Sequence, residues 1–483
     1  MTEAPEFRPP PERPFPDRPP QDPPAEEREE EAARDAQDEL VDTVRELLDE
    51  DQHDRVRALL ADLHAADIAQ VIEHVGPGRR EALVGILSAD FDAEVLTYLD
   101  QEVREEVIEL LEPKDLAAAV AELETDDAVD VIQDLDEESR REILDNLPPE
   151  TRQLVEEGLT FPEYSAGRLM SRGFVSVPQF WTVGRLLDYL RAAASVEDSD
   201  LPEDFYDIFI VDPAHRVVGA VPLSRVMRAK RTVRLGDILT EAHHLIPATM
   251  DQEEVARKFR KYGLVSAPVV DEAQRLIGVI TVDDVVDVIE EEAEEDLLRL
   301  GGVGEGDLYR AVLDTTRSRF SWLAVNLVTA IVASLVIGMF EAAIEKVVAL
   351  AVLMPIVASM GGNAGTQTLT VAVRALATRE LTDANALRVV GKEVLVGTAN
   401  GVLFAILAAL IAWGWFRDPL LGGVIGAAMI VNLISAGLFG AMIPLVLHKL
   451  KIDPAVASAV FLTTVTDVVG FLAFLGLASL VLL

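Results

Sequence analysis

Thr463-Thr464-Val465-Thr466-Asp467-Val468-Val469-Gly470 sits inside an otherwise uncharged apolar run from Ala455 to Leu483. A run of that length can cross a hydrocarbon core of ~30 Å. A carboxylate within it is costly and normally faces a partner or a water-filled path, which makes Asp467 the first candidate site residue. Four comparable stretches precede it, about Ser321 to Phe340, Val347 to Val373, Val389 to Trp415 and Leu420 to Leu447, so residues 317–483 are expected to form a five-helix transmembrane domain in a lipid bilayer. Arg310, Arg317 and Arg319 precede the first span, Arg374, Arg379, Arg388 and Lys392 lie between the second and third, and Lys449 and Lys451 between the fourth and fifth. The opposite flanks hold only Lys346 and Arg417, so the excess of positive charge places the amino terminus in the cytoplasm and the carboxyl terminus outside.

The remainder of the chain is strongly acidic. Residues 317–483 hold 10 Lys and Arg against 8 Asp and Glu, leaving 32 against 75 in residues 1–316. Such a region repels nucleic acid and anionic lipid, which need basic residues to neutralise phosphate, and attracts cations. The absence of cysteine excludes disulfides, thiolate metal sites and thiol catalysis, and the seven histidines form no His-x-x-x-His pair for zinc. Ten prolines and no apolar run in residues 1–24 suggest a disordered Pro-rich arm, taken as residues 1–40, with no signal peptide.

Residues 41–160 read as short amphipathic helices separated by Pro, Gly or acidic turns, the pattern of a stacked α-helical solenoid, with no catalytic constellation. Residues 161–282 turn to β-branched runs and repeat internally. Val211-Asp212 aligns with Val270-Asp271, and Val217-Val218-Gly219-Ala220-Val221 with Leu276-Ile277-Gly278-Val279-Ile280, as two copies of one α/β unit. Residues 283–316 form an acidic connecting helix and linker. Nine of the fourteen residues from Asp283 to Asp296 are acidic and none is basic. Asp287, Glu291 and Glu295 stack at intervals of four on a helix, where like charges repel and call for counter-ions or a basic partner. A solvated charged face is the plain alternative, but clustered carboxylates leading into a membrane domain favour sensing of a hard divalent cation.

Within the second span, Pro355-Ile356-Val357-Ala358-Ser359-Met360-Gly361-Gly362-Asn363-Ala364-Gly365-Thr366-Gln367 combines proline and three glycines, which are expected to open the helix and free carbonyls along a water-filled path. Close packing through small residues is the alternative. Asn363, Gln367 and Thr464, one turn before Asp467, are candidate pore-lining residues. Glu393, Asn326, Asn400 and Asn432 are secondary polar candidates, more in keeping with packing. A lone carboxylate does not strip magnesium of its water, so a hydrated cation at Asp467 is expected. The oxygen-only ligand set favours a hard ion without separating magnesium from calcium or manganese. An intramembrane aspartyl protease would need a second carboxylate beside Asp467 to share a proton, and none lies deep in a span, so no enzyme activity is expected.

Each copy of the α/β unit resembles a CBS domain. Gly278-Val279-Ile280-Thr281-Val282-Asp283-Asp284 is similar to that family's Gly-x-x-Thr-x-x-Asp pattern, which implies that Thr281 and Asp284 hold a nucleotide's hydroxyls, with ATP as the possible cofactor. The first copy departs from it, with Pro222 opposite Thr281 and Arg225, which could still attract phosphate, opposite Asp284. Taken together, the chain resembles the MgtE family of magnesium transporters over nearly its whole length after the arm. The resemblance rests on the domain order, on Pro355 followed by Gly361 to Gln367 and Arg374-Ala375-Leu376-Ala377-Thr378-Arg379, and on Asp453-Pro454-Ala455 followed by Thr464 to Gly470. It implies a homodimeric channel in the cell (inner) membrane, selective for magnesium and closed by cytoplasmic magnesium. By resemblance Asp467 is the pore carboxylate, and Asp284, Asp287, Glu291, Glu295 and Asp296, with Asp126 and Asp130, are regulatory magnesium-sensing positions. A transporter of cobalt, manganese or calcium with the same architecture is the alternative.

Overall fold

Short helices dominate the amino-terminal third because its sequence keeps restarting them. The computed structural model describes residues 25–88, 91–133, 135–193, 201–202, 204–241, 244–303 and 312–483, and the chain divides into two compact units at Thr160/Phe161. The first unit contains α1 (Ala25–Asp49), α2 (His53–Leu60), α3 (Ala65–His74), α4 (Pro77–Leu87), α5 (Glu94–Thr97), α6 (Gln101–Leu110), α7 (Pro113–Val120), α8 (Thr125–Gln133), α9 (Glu137–Asn146) and α10 (Pro149–Leu159). Pro77, Pro113 and Pro149 occupy the first helical position, where the missing N–H costs nothing. Asp100 and Asp136 cap α6 and α9 by accepting from the N–H groups of Glu102 (3.1 Å) and Glu138 (2.8 Å).

The helices stack with a skip: α2 packs on α4, α4 on α6, α3 on α5, α7 on α9 and α8 on α10. Arginines close the stack. Arg80 donates to the carbonyls of Ile72 (3.1 Å) and Glu73 (3.2 Å), and Arg140 to those of Ile132 (3.3 Å) and Leu135 (2.9 Å), so each satisfies orphan carbonyls at the end of the preceding helix. α1 begins at Ala25, inside the stretch expected to be a disordered arm. Its register of Val41, Val44, Leu47 and Leu48, all buried, gives the helix an apolar face that overrides the polar composition of its start. The rest of the arm, residues 1–24, lies outside the described residues.

The second unit opens with the repeat. β1 (Val175–Pro178), β2 (Asp207–Val211), β3 (Val217–Pro222) and β4 (Thr240–Glu241) form one sheet in that order, with β1 and β2 parallel; β5 (Ile246–Pro247), β6 (Ser266–Val270) and β7 (Leu276–Thr281) form the other, with β5 and β6 parallel. α11 (Val183–Ala193), α12 (Leu223–Arg228) and α13 (Gln252–Tyr262) flank them. The copies agree in detail. The register slips at Ile210/Val211 and at Val269/Val270, and the turns place His215 and Gln274 at the same positive φ of 63°. Ser266 donates to Asp207 at 2.7 Å, joining two positions that are 59 residues apart and equivalent in the two copies.

α14 (Val282–Gly301) leaves β7 through a capping box and ends at Gly302 in the left-handed conformation. A Cβ at Gly302 would fall within 2.0 Å of the Trp322 ring, so glycine is required there for both φ and space. The membrane part follows as α15 (Val312–Gly338), the short α16 (Glu341–Lys346), α17 (Ala349–Ala377), α18 (Ala386–Phe416), α19 (Pro419–Lys449) and α20 (Pro454–Val481), five of them long and apolar enough to span a bilayer. The chain is thus a multidomain membrane protein. α17, α18 and α20 all pack on α19, while α15 packs mainly on α20. The α18–α19 contact is made through glycine: a Cβ would stand 2.5 Å from the Leu433 carbonyl oxygen at Gly397 and 2.6 Å from that of Glu393 at Gly437.

The expected opening of the second span does not occur. α17 is one uninterrupted helix with Pro355 inside it. Pro355 falls near its amino-terminal end and on an exposed face, where one lost hydrogen bond is tolerated, and two of the glycines serve packing: Gly361 lies against Asn432 and Gly365 against Leu462.

Candidate ion path and acidic-helix carboxylates

Asp453 caps α20 by accepting from the Ala455 N–H at 2.8 Å, and Pro454 fixes its first turn. Two turns in, the hydroxyls fold back onto the helix: Thr463 donates to the Ala459 carbonyl (2.9 Å), Thr464 to Val460 (2.7 Å) and Thr466 to Leu462 (3.1 Å). Their hydrogens are used locally while oxygen lone pairs remain free to accept. Thr466 is buried, Thr464 and Asp467 are half-buried, and among the described residues no hydrogen bond or ion pair engages the Asp467 carboxylate.

α17 has two faces. Gly361, Gly365, Thr368 and Leu369 turn inward, whereas Ser359, Asn363, Thr366, Gln367 and Thr370 form an exposed polar stripe along a helix that is otherwise apolar. Asn363 donates to Ser359 at 3.4 Å, and Thr366 and Thr370 donate to carbonyls one turn back at 3.0 Å. Two contacts fix the level of this stripe against α20. Gly361 and Gly470 both lie against the Asn432 side chain, and Gly365 lies against Leu462. The α20 segment between those contacts carries Asp467, and the α17 segment carries Asn363, so the two candidates share a depth. Gln367 and Thr464 flank it. Ser359, Thr366 and Thr370 escaped the sequence reading, although their spacing of seven and four in an apolar span was the available signal.

Glu393, at the start of α18, is largely buried, accepts from Thr368 at 3.2 Å and lies 3.7 Å from exposed Lys392. Asn432, on α19, is fully buried and donates to the Val357 carbonyl at 2.8 Å.

The predicted sensing residues are found in two settings, Asp126 and Asp130 on α8 of the helical unit and the others on α14. Among the described residues no three acidic or histidine side chains meet in a group able to hold a metal. Asp284 accepts from the Thr281 N–H (3.0 Å) and hydroxyl (2.9 Å), so the predicted nucleotide pair also starts α14. Arg225, the phosphate candidate of the first copy, instead donates to the Ile238 carbonyl (2.9 Å) and the Thr240 hydroxyl (3.0 Å). Asp130 accepts from Arg104 at 2.5 Å and Gln133 at 2.8 Å, and Asp126 is buried in the first turn of α8. Asp287 and Glu291 are exposed, and Glu295 pairs with Arg299 one turn on. Arg299 also donates to Asp453 at 2.8 Å, which ties the end of α14 to the cap of α20; the sequence offers no sign of that pairing.

Burial, and to a lesser degree crowding, leaves a mark on titration. Burial pushes the Asp296 carboxyl above the usual carboxylate range, with Asp453 and Glu253 adding to it. Burial does the same to Glu292, against a hydrogen bond from Gln252 at 3.1 Å that pulls the other way, with Glu253, Asp251 and Asp296 adding to the rise.

Comparison with known proteins draws these parts together. Residues 354–477 match the family model of the MgtE divalent cation transporter, residues 63–164 that of the MgtE intracellular N domain, and residues 235–291 that of the CBS domain. The chain is 37% identical to the magnesium transporter MgtE of Thermus thermophilus over 69% of its own length and 73% of that protein. It is 32% identical to the Bacillus subtilis magnesium transporter MgtE over 66% and 70%. Among solved structures, the cytosolic domain of the Mg2+ channel MgtE in complex with ATP is 33% identical, covers 51% of this chain and 99% of that one, and superposes with a TM-score of 0.47. With a lone carboxylate in its last span and these relatives over two thirds of its length, the chain belongs to the MgtE family of divalent cation transporters.

Proposed function

We propose that this protein is a magnesium channel in which a hydrated cation passes Asp467 and cytoplasmic magnesium closes the path. One observation carries this reading: a half-buried carboxylate without a protein partner among the described residues shares a depth with a polar stripe that a single chain leaves exposed. Asn363, Gln367 and Thr464 supply oxygens and amides that hold the ion through its water. A polar stripe facing lipid is unfavourable, so a second copy covers it, and the path runs along the axis of a homodimer. The flanking basic residues orient it with the amino terminus in the cytoplasm and the carboxyl terminus outside, in the cell membrane.

The acidic helix α14 is the sensor in this reading. Magnesium bridging Asp287, Glu291, Glu295 and Asp296 to acidic residues of the helical unit, Asp126 and Asp130 among them, neutralises their repulsion and holds the path shut. The domain assignment used for it is residues 41–160, 161–282, 283–316 and 317–483. ATP binds at one place per subunit, around Thr281 and Asp284; Pro222 has no hydroxyl to offer and Arg225 is engaged with the β4 loop. Calorimetry finding two ATP sites per subunit, or binding indifferent to Thr281→Ala with Asp284→Ala, contradicts this.

Uptake into proteoliposomes with magnesium, calcium, manganese and cobalt in competition tests the reading. Magnesium is expected to carry the flux and to outcompete calcium. Preference for cobalt, manganese or calcium would move the assignment to that ion.

A further inference from the structure

Asn432 lies at the meeting point of three membrane helices. Its Nδ2 donates to the Val357 carbonyl of α17 at 2.8 Å, and the residue has no exposed surface. The notch that admits it exists because two neighbours lack side chains: a Cβ would stand 2.2 Å from Nδ2 at Gly361 of α17 and 2.8 Å from it at Gly470 of α20. Gly361 precedes Asn363 by two residues and Gly470 follows Asp467 by three.

The amide's other half is at odds with a packing role. Oδ1 is buried and accepts no hydrogen bond from the described residues. Leaving an amide oxygen unpaired costs more than one amide donor returns, and the penalty grows in an apolar medium. A leucine or alanine would fill or spare the notch without that cost. What an apolar side chain cannot do is grip Val357 while resting on Gly470, and that grip fixes α17 against α20 along the membrane normal. The fully buried positions of α17 at this level are Gly361 and Gly365, and its partly buried Met360 packs toward Met429 and Leu433 of α19, so the grip on α20 is left to Asn432.

We propose that Asn432 is a positioning residue for ion selection. Resting on the transport reading above, it sets the height of Asn363 against Asp467, so that both reach the water shell of one ion. Discrimination between hydrated ions depends on the spacing of their acceptors and donors, and a slip of α17 along α20 degrades it while leaving the carboxylate in place.

The test uses the full-length protein in proteoliposomes and three variants. Asn432→Ala should fold, since it deletes an unpaired oxygen, and should retain magnesium flux while its preference for magnesium over calcium and manganese falls about tenfold, the value of one hydrogen bond. Gly361→Ala should lower thermal stability through the clash with the amide. The double variant Gly361→Ala with Asn432→Ala has room for the new methyl, so stability should return while selectivity does not; a role in packing alone would restore both. Unaltered selectivity in Asn432→Ala, or its recovery in the double variant, overturns the proposal. Absence of any divalent flux from the wild-type chain would overturn the transport reading, and this role with it.

Discussion

α14 and α20 carry the same functional group under opposite conditions. α14 crowds nine carboxylates into Asp283 to Asp296, whereas α20 keeps one, Asp467, in a run with no other charge. On the crowded helix burial raises the Asp296 and Glu292 carboxyls first, and acidic neighbours add to it, Asp453 and Glu253 for Asp296 and Glu253, Asp251 and Asp296 for Glu292. The isolated carboxylate has, among the described residues, no charged neighbour to repel and no side chain to pair with. On the proposed reading, crowding would make a surface that responds to cation concentration, and isolation a place for one cation. The two are joined through Arg299, which reaches Asp453 at the cap of α20.

Asp467→Asn removes the charge while keeping the shape, and should reduce magnesium flux at least about a hundredfold. Protection of residues 41–303 from protease by magnesium should survive in this variant, since α14 is untouched. Loss of both together would mean that the two regions are not separable.

Breaking the joint should have a smaller effect. Arg299→Ala removes the link to Asp453 and also frees Glu295, so the magnesium concentration that closes the path should shift several-fold, about one charged hydrogen bond's worth. Asp453→Asn keeps the helix cap and weakens the ion pair, and should give the same phenotype at wild-type stability. A stability loss of about 1 kcal/mol in Asp453→Ala, absent from Asp453→Asn, would separate the cap from the link.

Proton binding sharpens the comparison further. Because the folded-state pKa values of Glu292 and Asp296 are raised, the packed form of α14 binds more protons than the unfolded chain. Its stability is greatest below the ordinary carboxylate range and is lost as pH rises through the raised values. Without magnesium, limited proteolysis should therefore be slower near about pH 5 than at about pH 8, and added magnesium should matter more at the higher pH. Equal cleavage rates at both would remove crowding as the basis of sensing.

The smallest effect belongs to the helical unit. Burial, Glu102 and Glu73 raise Asp100 to about 6, so its ionisation at neutral pH works against the fold. Asp100→Asn retains the cap of α6 and should stabilise the protein by about 1 kcal/mol at pH 7, after allowing for solvent screening, with no gain below pH 4. Thermal melts at the two pH values check this.

Much of this was legible in sequence because it rests on periodicity. The five apolar spans, the stacked short helices and the repeated α/β unit follow from spacing of apolar residues, which local physics converts into helices and strands. Asp467 was legible for a different reason, its isolation. The continuity of α17 was not, because Pro355 and three glycines carry the same local signal whether a helix opens or packs closely. That choice is made by Asn432 and Leu462, far away in the chain. The Arg299 to Asp453 pairing was equally hidden, since two charged residues 154 positions apart leave no local trace.

The central claim is that Asp467 holds its ion through water, and cobalt(III) hexaammine tests it most directly. This inert trivalent cation matches hexahydrated magnesium in size and octahedral shape, though not in charge, and cannot exchange its ammine ligands for protein oxygens, so it occupies only a site that reads the outer shell. If the account is right, it blocks magnesium flux through the wild-type protein in competition with magnesium. Undiminished flux under concentrations of hexaammine well above those at which magnesium saturates the protein would show that the ion sheds its water, and would contradict the account.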